Sequence, residues 1–137
     1  MGFKSTELHT ALDGQASPLF VPAGQYLFHC GDPVSGVFVI RNGAVLMTLD
    51  SAPHIYPPRK LGPGDIAGLP ATLTGTYSLS ALVIEDAELG FLPASRVTDL
   101  LETSPRICVL AMTMISQEVA RMRCALKEAP FDTPTLN

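Results

Sequence analysis

The sequence predicts a mainly β domain, an antiparallel β-roll or jelly roll, completed by helices at its C-terminal end, the last of them long. Three observations predict it. Twelve prolines and eleven glycines punctuate a chain that is still 47% hydrophobic, the texture of many short strands joined by tight turns. In the last third the apolar residues change from strand-like to helical spacing. Strand signals come first and helix signals last, with no internal repeat, an order that suits a roll with appended helices.

The elements follow in order. Residues 1–17 form an N-terminal segment in which Thr6 to Leu12 can make a short helix, with Leu8 and Leu12 on one side. The roll spans 18–93. Leu19-Phe20-Val21 runs into a Pro22-Ala23-Gly24 turn, and Gln25 to Cys30 is a strand stopped by Gly31-Asp32-Pro33. Val37 to Ile40 is a β-branched run, Arg41-Asn42-Gly43 reads as a hairpin turn, and Ala44 to Leu49 is the returning strand. Asp50 to Pro58 holds three prolines and is a loop. Arg59-Lys60-Leu61 is a short strand, followed by a Gly62-Pro63-Gly64-Asp65 turn and a short segment from Leu69 to Thr74. Leu79 to Ile84 and Glu88 to Leu92 read as two strands around Glu85-Asp86.

Residues 94–128 are helical. Val97, Leu100 and Leu101 mark the apolar side of the first helix. Ser104-Pro105 then gives a start signal, Ser as N-cap and Pro at the first helical position. No Gly or Pro interrupts the stretch from there to Glu128, and Cys108, Ala111, Met112, Ile115, Val119, Met122 and Leu126 form one stripe. Ile107, Leu110 and Met114 widen it. Such a helix is about 30 Å long. Residues 129–137, with two prolines, form a tail.

Composition excludes several functions. The net charge is −4, and nine Lys and Arg leave little for a basic nucleic-acid face. No segment approaches the ~18 apolar residues of a membrane span, and Met1 to Glu7 lacks the apolar core of a secretory signal. Cys30, Cys108 and Cys124 are odd in number and far apart, as expected of reduced thiols in a cytoplasmic protein. There is no nucleophile elbow, P-loop or Ser/His/acid set, so no enzyme is expected. His9, His29 and His54 are isolated, and His29 and Cys30 point to opposite faces of a strand. No metal and no cofactor are expected.

Five blocks of residues, in order and correctly spaced, resemble the cyclic-nucleotide-binding domain family, the sensor half of Crp/Fnr-type regulators. They are Pro22-Ala23-Gly24-Gln25 to Phe28 with Gly31-Asp32-Pro33; Phe38-Val39-Ile40 to Gly43; Leu61-Gly62-Pro63-Gly64-Asp65-Ile66 to Gly68; Asp86-Ala87-Glu88-Leu89 with the helix Ser95 to Leu101; and Pro105 with the long helix. The resemblance covers about residues 18 to 125 and implies a double-stranded β-helix. It also implies a ligand cassette in which a helix N-terminus faces a cyclic phosphate, an Arg supplies the countercharge and a Glu accepts from the ribose.

Here that cassette is degenerate. Gly68 matches the family's glycine, Leu69 stands where the Glu belongs, Ala71 matches a small residue, Tyr77 falls on the Arg position and Ser78 matches a Ser or Thr. No Arg or Lys lies between Lys60 and Arg96. Burying a phosphate without its charge partner forfeits about 3–5 kcal/mol, so tight cAMP or cGMP binding is not expected. Arg41, Arg59 and Lys60 are the cations that could reach in from neighbouring strands. Two readings remain open. In one, Leu69, Pro70, Tyr77 and Leu79 line a pocket for a less charged ligand of unknown identity, with Ser78 and Ser80 orienting it. In the other the cavity has filled in, Leu69 and Tyr77 being core with the Tyr77 hydroxyl at the surface.

The resemblance implies a homodimer through the long helix, with Ile107, Ala111, Met114, Ile115 and Met122 on the face assigned to it. Family regulators continue into a helix-turn-helix. About ten residues follow the helix here, so direct DNA reading is not expected. The best reading is a stand-alone regulatory or ligand-binding module. Two alternatives stand beside it. Pro63-Gly64-Asp65 with Pro70 also resembles a cupin motif, but Gly31 and Ser35 or Gly36 stand where cupins place metal ligands, leaving a metal-free protein. The other alternative is an orphan sensor fragment that acts through protein partners.

Overall fold

The computed structural model describes residues 6–49, 51–52 and 54–128; for residues 122 and 124–128 it describes the backbone alone. The expected tail, residues 129–137, lies outside the described residues. The order is α1 (Thr6–Asp13), β1 (Ser17–Val21), β2 (Tyr26–Phe28), β3 (Gly36–Thr48), β4 (Arg59–Leu61), β5 (Ile66–Ala67), α2 (Ala71–Thr74), β6 (Ser80–Pro93), α3 (Ala94–Thr103) and α4 (Pro105–Glu128). The six strands make one sheet in the order β1-β6-β3-β4, with β2 also on β6 and β5 also on β3. Every pairing is antiparallel. The fold is the mainly β roll with C-terminal helices that the sequence predicts.

One expected hairpin turn and one expected break between strands are absent. Arg41-Asn42-Gly43 does not reverse the chain, which runs on through β3, and Glu85-Asp86 lies inside β6. The two long strands pair from Gly36↔Pro93 to Thr48↔Ser80, with register shifts between Ile40 and Val45. Asn42 opposes Glu88 and Ala44 opposes Glu85. The two segments therefore face each other, and the register shifts there mark one bend in a long ribbon. The physical reason is that a positive-φ glycine suits a bulge as well as a hairpin turn. Gly43 has φ +90°, and a Cβ there would sit 2.5 Å from the Asp86 carbonyl oxygen.

The core has two layers, and β3 feeds both. Phe38 and Ile40 point into the roll, beside Phe28, Val45, Tyr77 and Leu89. Val37 and Val39 point the other way, onto Leu8, Leu12, Leu92, Val97 and the inner face of α4. Alternating side chains of a strand take opposite faces, so a run apolar at every position is buried on both sides. Leu8 and Leu12 hold α1 in the helical layer. At its ends Arg41 Nε donates to Asp13 Oδ1 at 2.7 Å, and Arg106 Nη2 donates to Glu7 Oε1 at 2.7 Å. Helix α4 starts where the sequence places it, with the Ile107 N–H donating to Ser104 Oγ at 3.3 Å. Among the described residues no helix is long and apolar enough to cross a membrane.

Candidate functional site

The turn after β5, the short helix α2, strands of the roll and α4 come together at one place. Between these elements lies a cavity of about 90 Å³. Phe28, Met47, Leu61 and Leu79 line it from the roll, and Gly68, Leu69, Pro70 and Ala71 from the turn and α2. Met114 and Val119 of α4 close it. Its polar groups are Arg59, Tyr77, Ser78 and Glu118. The structure thus brings together seven of the eight cassette residues named from the sequence. Ser80 stands apart: it is 1% exposed, and its Oγ accepts the Cys30 N–H at 2.9 Å.

Tyr77 stands at the centre of the cassette residues named from the sequence. Its ring stacks on Phe28, centroids 3.7 Å apart and planes within 6°. Its hydroxyl donates to the Gly36 carbonyl at 2.7 Å and accepts the N–H groups of Gly36 and Ser35, both at 3.1 Å. The expectation of a surface hydroxyl in a filled cavity is therefore corrected. The phenol tip is buried because the start of β3 offers it two donors and an acceptor. Those partners lie some forty residues away in sequence, where no local pattern could show them. Gly68 has φ +92°, and a Cβ there would meet the Tyr77 ring at 3.0 Å. Its conformation and the close approach of the ring both favour glycine.

Leu69 is buried with the helical layer, and Pro70 opens α2 without a side-chain cap. Thr72 Oγ1 donates to the Leu69 carbonyl at 2.7 Å, and Gly75 closes α2 in the left-handed conformation. Ser78 is exposed at the cavity rim.

Of the three cations that could reach in, one does. Arg41 is held by Asp13, and Lys60 lies 3.5 Å from Glu85. Arg59, on β4, points across to α4, where Nη1 lies 2.5 Å from Glu118 Oε2. Burial works against its charge, but the hydrogen bond and the charge of Glu118 outweigh that, and its pKa is raised. Arg121 Nη1 is 2.9 Å from the same Glu118 oxygen. Tyr56 is buried beside this cluster; burial and then the Glu118 charge push its hydroxyl pKa up. Glu118 and Arg121 were not singled out from the sequence. Their position on α4 relative to β4 depends on tertiary packing.

The helix face assigned to a partner is largely committed to this chain. Ile107, Ala111, Met114 and Ile115 are all buried in the layer between α4 and the roll. The Met122 side chain lies outside the described residues. The face of α4 left open carries Val109, 64% exposed, with Met112, Thr113 and Ser116 along a shallow groove.

Comparison with known proteins agrees with this architecture. The transcriptional activator protein Anr of Pseudomonas aeruginosa is 31% identical over 98 residues, 70% of this chain and 40% of that protein. An uncharacterized NTE family protein of Mycobacterium bovis is 27% identical over 103 residues, 74% of this chain and 16% of that protein. The chain thus spans well under half the length of either relative. Among solved structures, the Thermus thermophilus catabolite activator protein superposes with a TM-score of 0.70 at 22% identity, over 90% of this chain and 59% of that one. The c-di-GMP-responsive regulator CLP of Xanthomonas campestris gives a TM-score of 0.64 at 16% identity, over 90% and 61%. The family model described as cyclic nucleotide-binding domain matches residues 18–104, and the chain belongs to that family.

Proposed function

We propose that this domain is a regulatory ligand-binding module that no longer binds cyclic nucleotides tightly, and that it acts by binding rather than by catalysis. The observation that carries this reading is Tyr77. At the position where the family resemblance implies a phosphate-binding Arg, a neutral ring is stacked on Phe28, and its hydroxyl is spent on Ser35 and Gly36. Leu69 replaces the ribose-binding Glu and is itself core. The remaining cavity, about 90 Å³, is well below the roughly 300–1,000 Å³ typical of ligand pockets. The one cation lining it among the described residues, Arg59, already has a carboxylate partner.

The test is thermal melting with and without about 1 mM cAMP or cGMP. A Kd near 10 μM would stabilise the fold by about 2.7 kcal/mol, several degrees for a domain of this size. The expected result is no shift. A clear rise with either nucleotide would overturn the reading.

The same reading includes a homodimer, with a second copy seated on the open face of α4. Exposed Val109 and the groove lined by Cys108, Met112, Thr113 and Ser116 support it, since apolar and small side chains on one exposed helix face allow close approach.

A further inference from the structure

We propose that the cavity beneath α4 is a carboxylate site, that it takes a small organic acid with a short apolar tail, and that Glu118 is its built-in competitor. This rests on the reading of the domain as a ligand-binding module. Apart from its polar rim the cavity is apolar, with walls that include Met47, Leu61, Leu69 and Met114. Arg59 alone brings a positive charge to the lining described. Its present partner is a carboxylate oxygen, Glu118 Oε2 at 2.5 Å, so the approach a ligand carboxylate would need already exists.

The cluster around Glu118 is short of negative charge and of acceptors. Two guanidinium groups, Arg59 and Arg121, share the one carboxylate. Arg121 Nη1 and Tyr56 Oη are both buried: Arg121 Nη1 has the ion-pair contact with Glu118 at 2.9 Å but is poorly aligned for a hydrogen bond, and the Tyr56 hydroxyl, beside Arg59, has no well-aligned acceptor among the described residues. Buried polar atoms are normally satisfied, and leaving one unmet is unfavourable. A second carboxylate balances the charge. With it on Arg59, Glu118 is left to Arg121, one acid to each base. The volume limits the tail: about 90 Å³ is less than the roughly 150 Å³ that holds a benzene ring, which suits a chain of about three to five carbons. Because Glu118 sits on α4 and Arg59 on β4, the exchange of partners would reset the link between helix and roll.

The experiment is calorimetric titration of the full chain with butyrate, using n-butanol as the uncharged match and cAMP in parallel. Butyrate is expected to bind, and butanol at least about ten-fold more weakly. Glu118→Gln removes the competitor and should tighten butyrate binding about ten-fold, whereas Arg59→Gln should weaken it by at least as much. Effects of opposite sign cannot both come from a damaged fold. Absence of butyrate binding at about 10 mM, equal binding of butanol, or weaker binding to the Glu118→Gln protein would overturn the proposal. Failure with butyrate and cAMP alike overturns the carboxylate site and leaves the regulatory reading standing. Micromolar cAMP binding overturns that reading and the carboxylate site with it.

Discussion

At the scale of single residues, Tyr77 anchors the entry to β3. Its hydroxyl satisfies the Gly36 carbonyl and the N–H groups of Ser35 and Gly36 at the entry to β3. Tyr77→Phe keeps the ring on Phe28 but leaves those groups without their partner. Unmade buried hydrogen bonds cost about 1–3 kcal/mol, so melting should fall by several degrees while far-ultraviolet circular dichroism stays unchanged. An unchanged melting temperature would mean that water replaces the hydroxyl without loss. The family resemblance implies a cation at position 77, where the sequence has a tyrosine. What the tyrosine does there was not legible, because its partners are distant in the chain. Arg59 stood among three candidate cations, and the packing of β4 against α4 selects it.

At the scale of elements, β3 and β6 pair through one bend, where the register shifts between Ile40 and Val45. Strand residues and helix starts were legible because local signals determine them: the β-branched run of β3, and Ser104-Pro105 before α4. The bend reads in the sequence as a hairpin turn and a break between strands because glycine and short polar residues mark bulges and hairpins alike. Gly43 and Gly24 separate the two kinds of glycine constraint. Both have positive φ, +90° and +97°, but a Cβ at Gly43 would strike the Asp86 carbonyl oxygen and Ala87, whereas at Gly24 nothing lies within 4 Å. Gly24→Ala should therefore carry only the backbone penalty of about 1–2 kcal/mol. Gly43→Ala should lose clearly more, about 3 kcal/mol or above, since the ribbon must also part. Equal losses in urea unfolding would show that the bend yields without resistance.

At the scale of the whole molecule, the two faces of α4 divide its work. Val37, Val39, Leu92 and Val97 of the roll and α3 cover Ile107, Ala111 and Ile115, so the wide apolar stripe seen in the sequence is used mostly within the chain. Periodicity identifies an apolar face but cannot say whether the chain's own sheet or a second subunit will cover it. Val109, 64% exposed, and Val119, 46% exposed, lie outside that buried stripe. If a second copy covers the open face, light scattering should give a mass near twice 14.6 kDa, falling to the single-chain value on dilution. Val109→Asp would place a desolvated charge, and its symmetry mate, in the contact, which is strongly unfavourable for association. It should leave the monomer's fold intact because that side chain faces solvent within one chain. A monomeric wild type would remove the dimer, and a dimeric Val109→Asp protein would move the contact elsewhere. In either case Glu118, which faces Arg59 rather than the open groove, keeps its place between the cavity and α4, so ligand binding and association can be measured separately on the same helix.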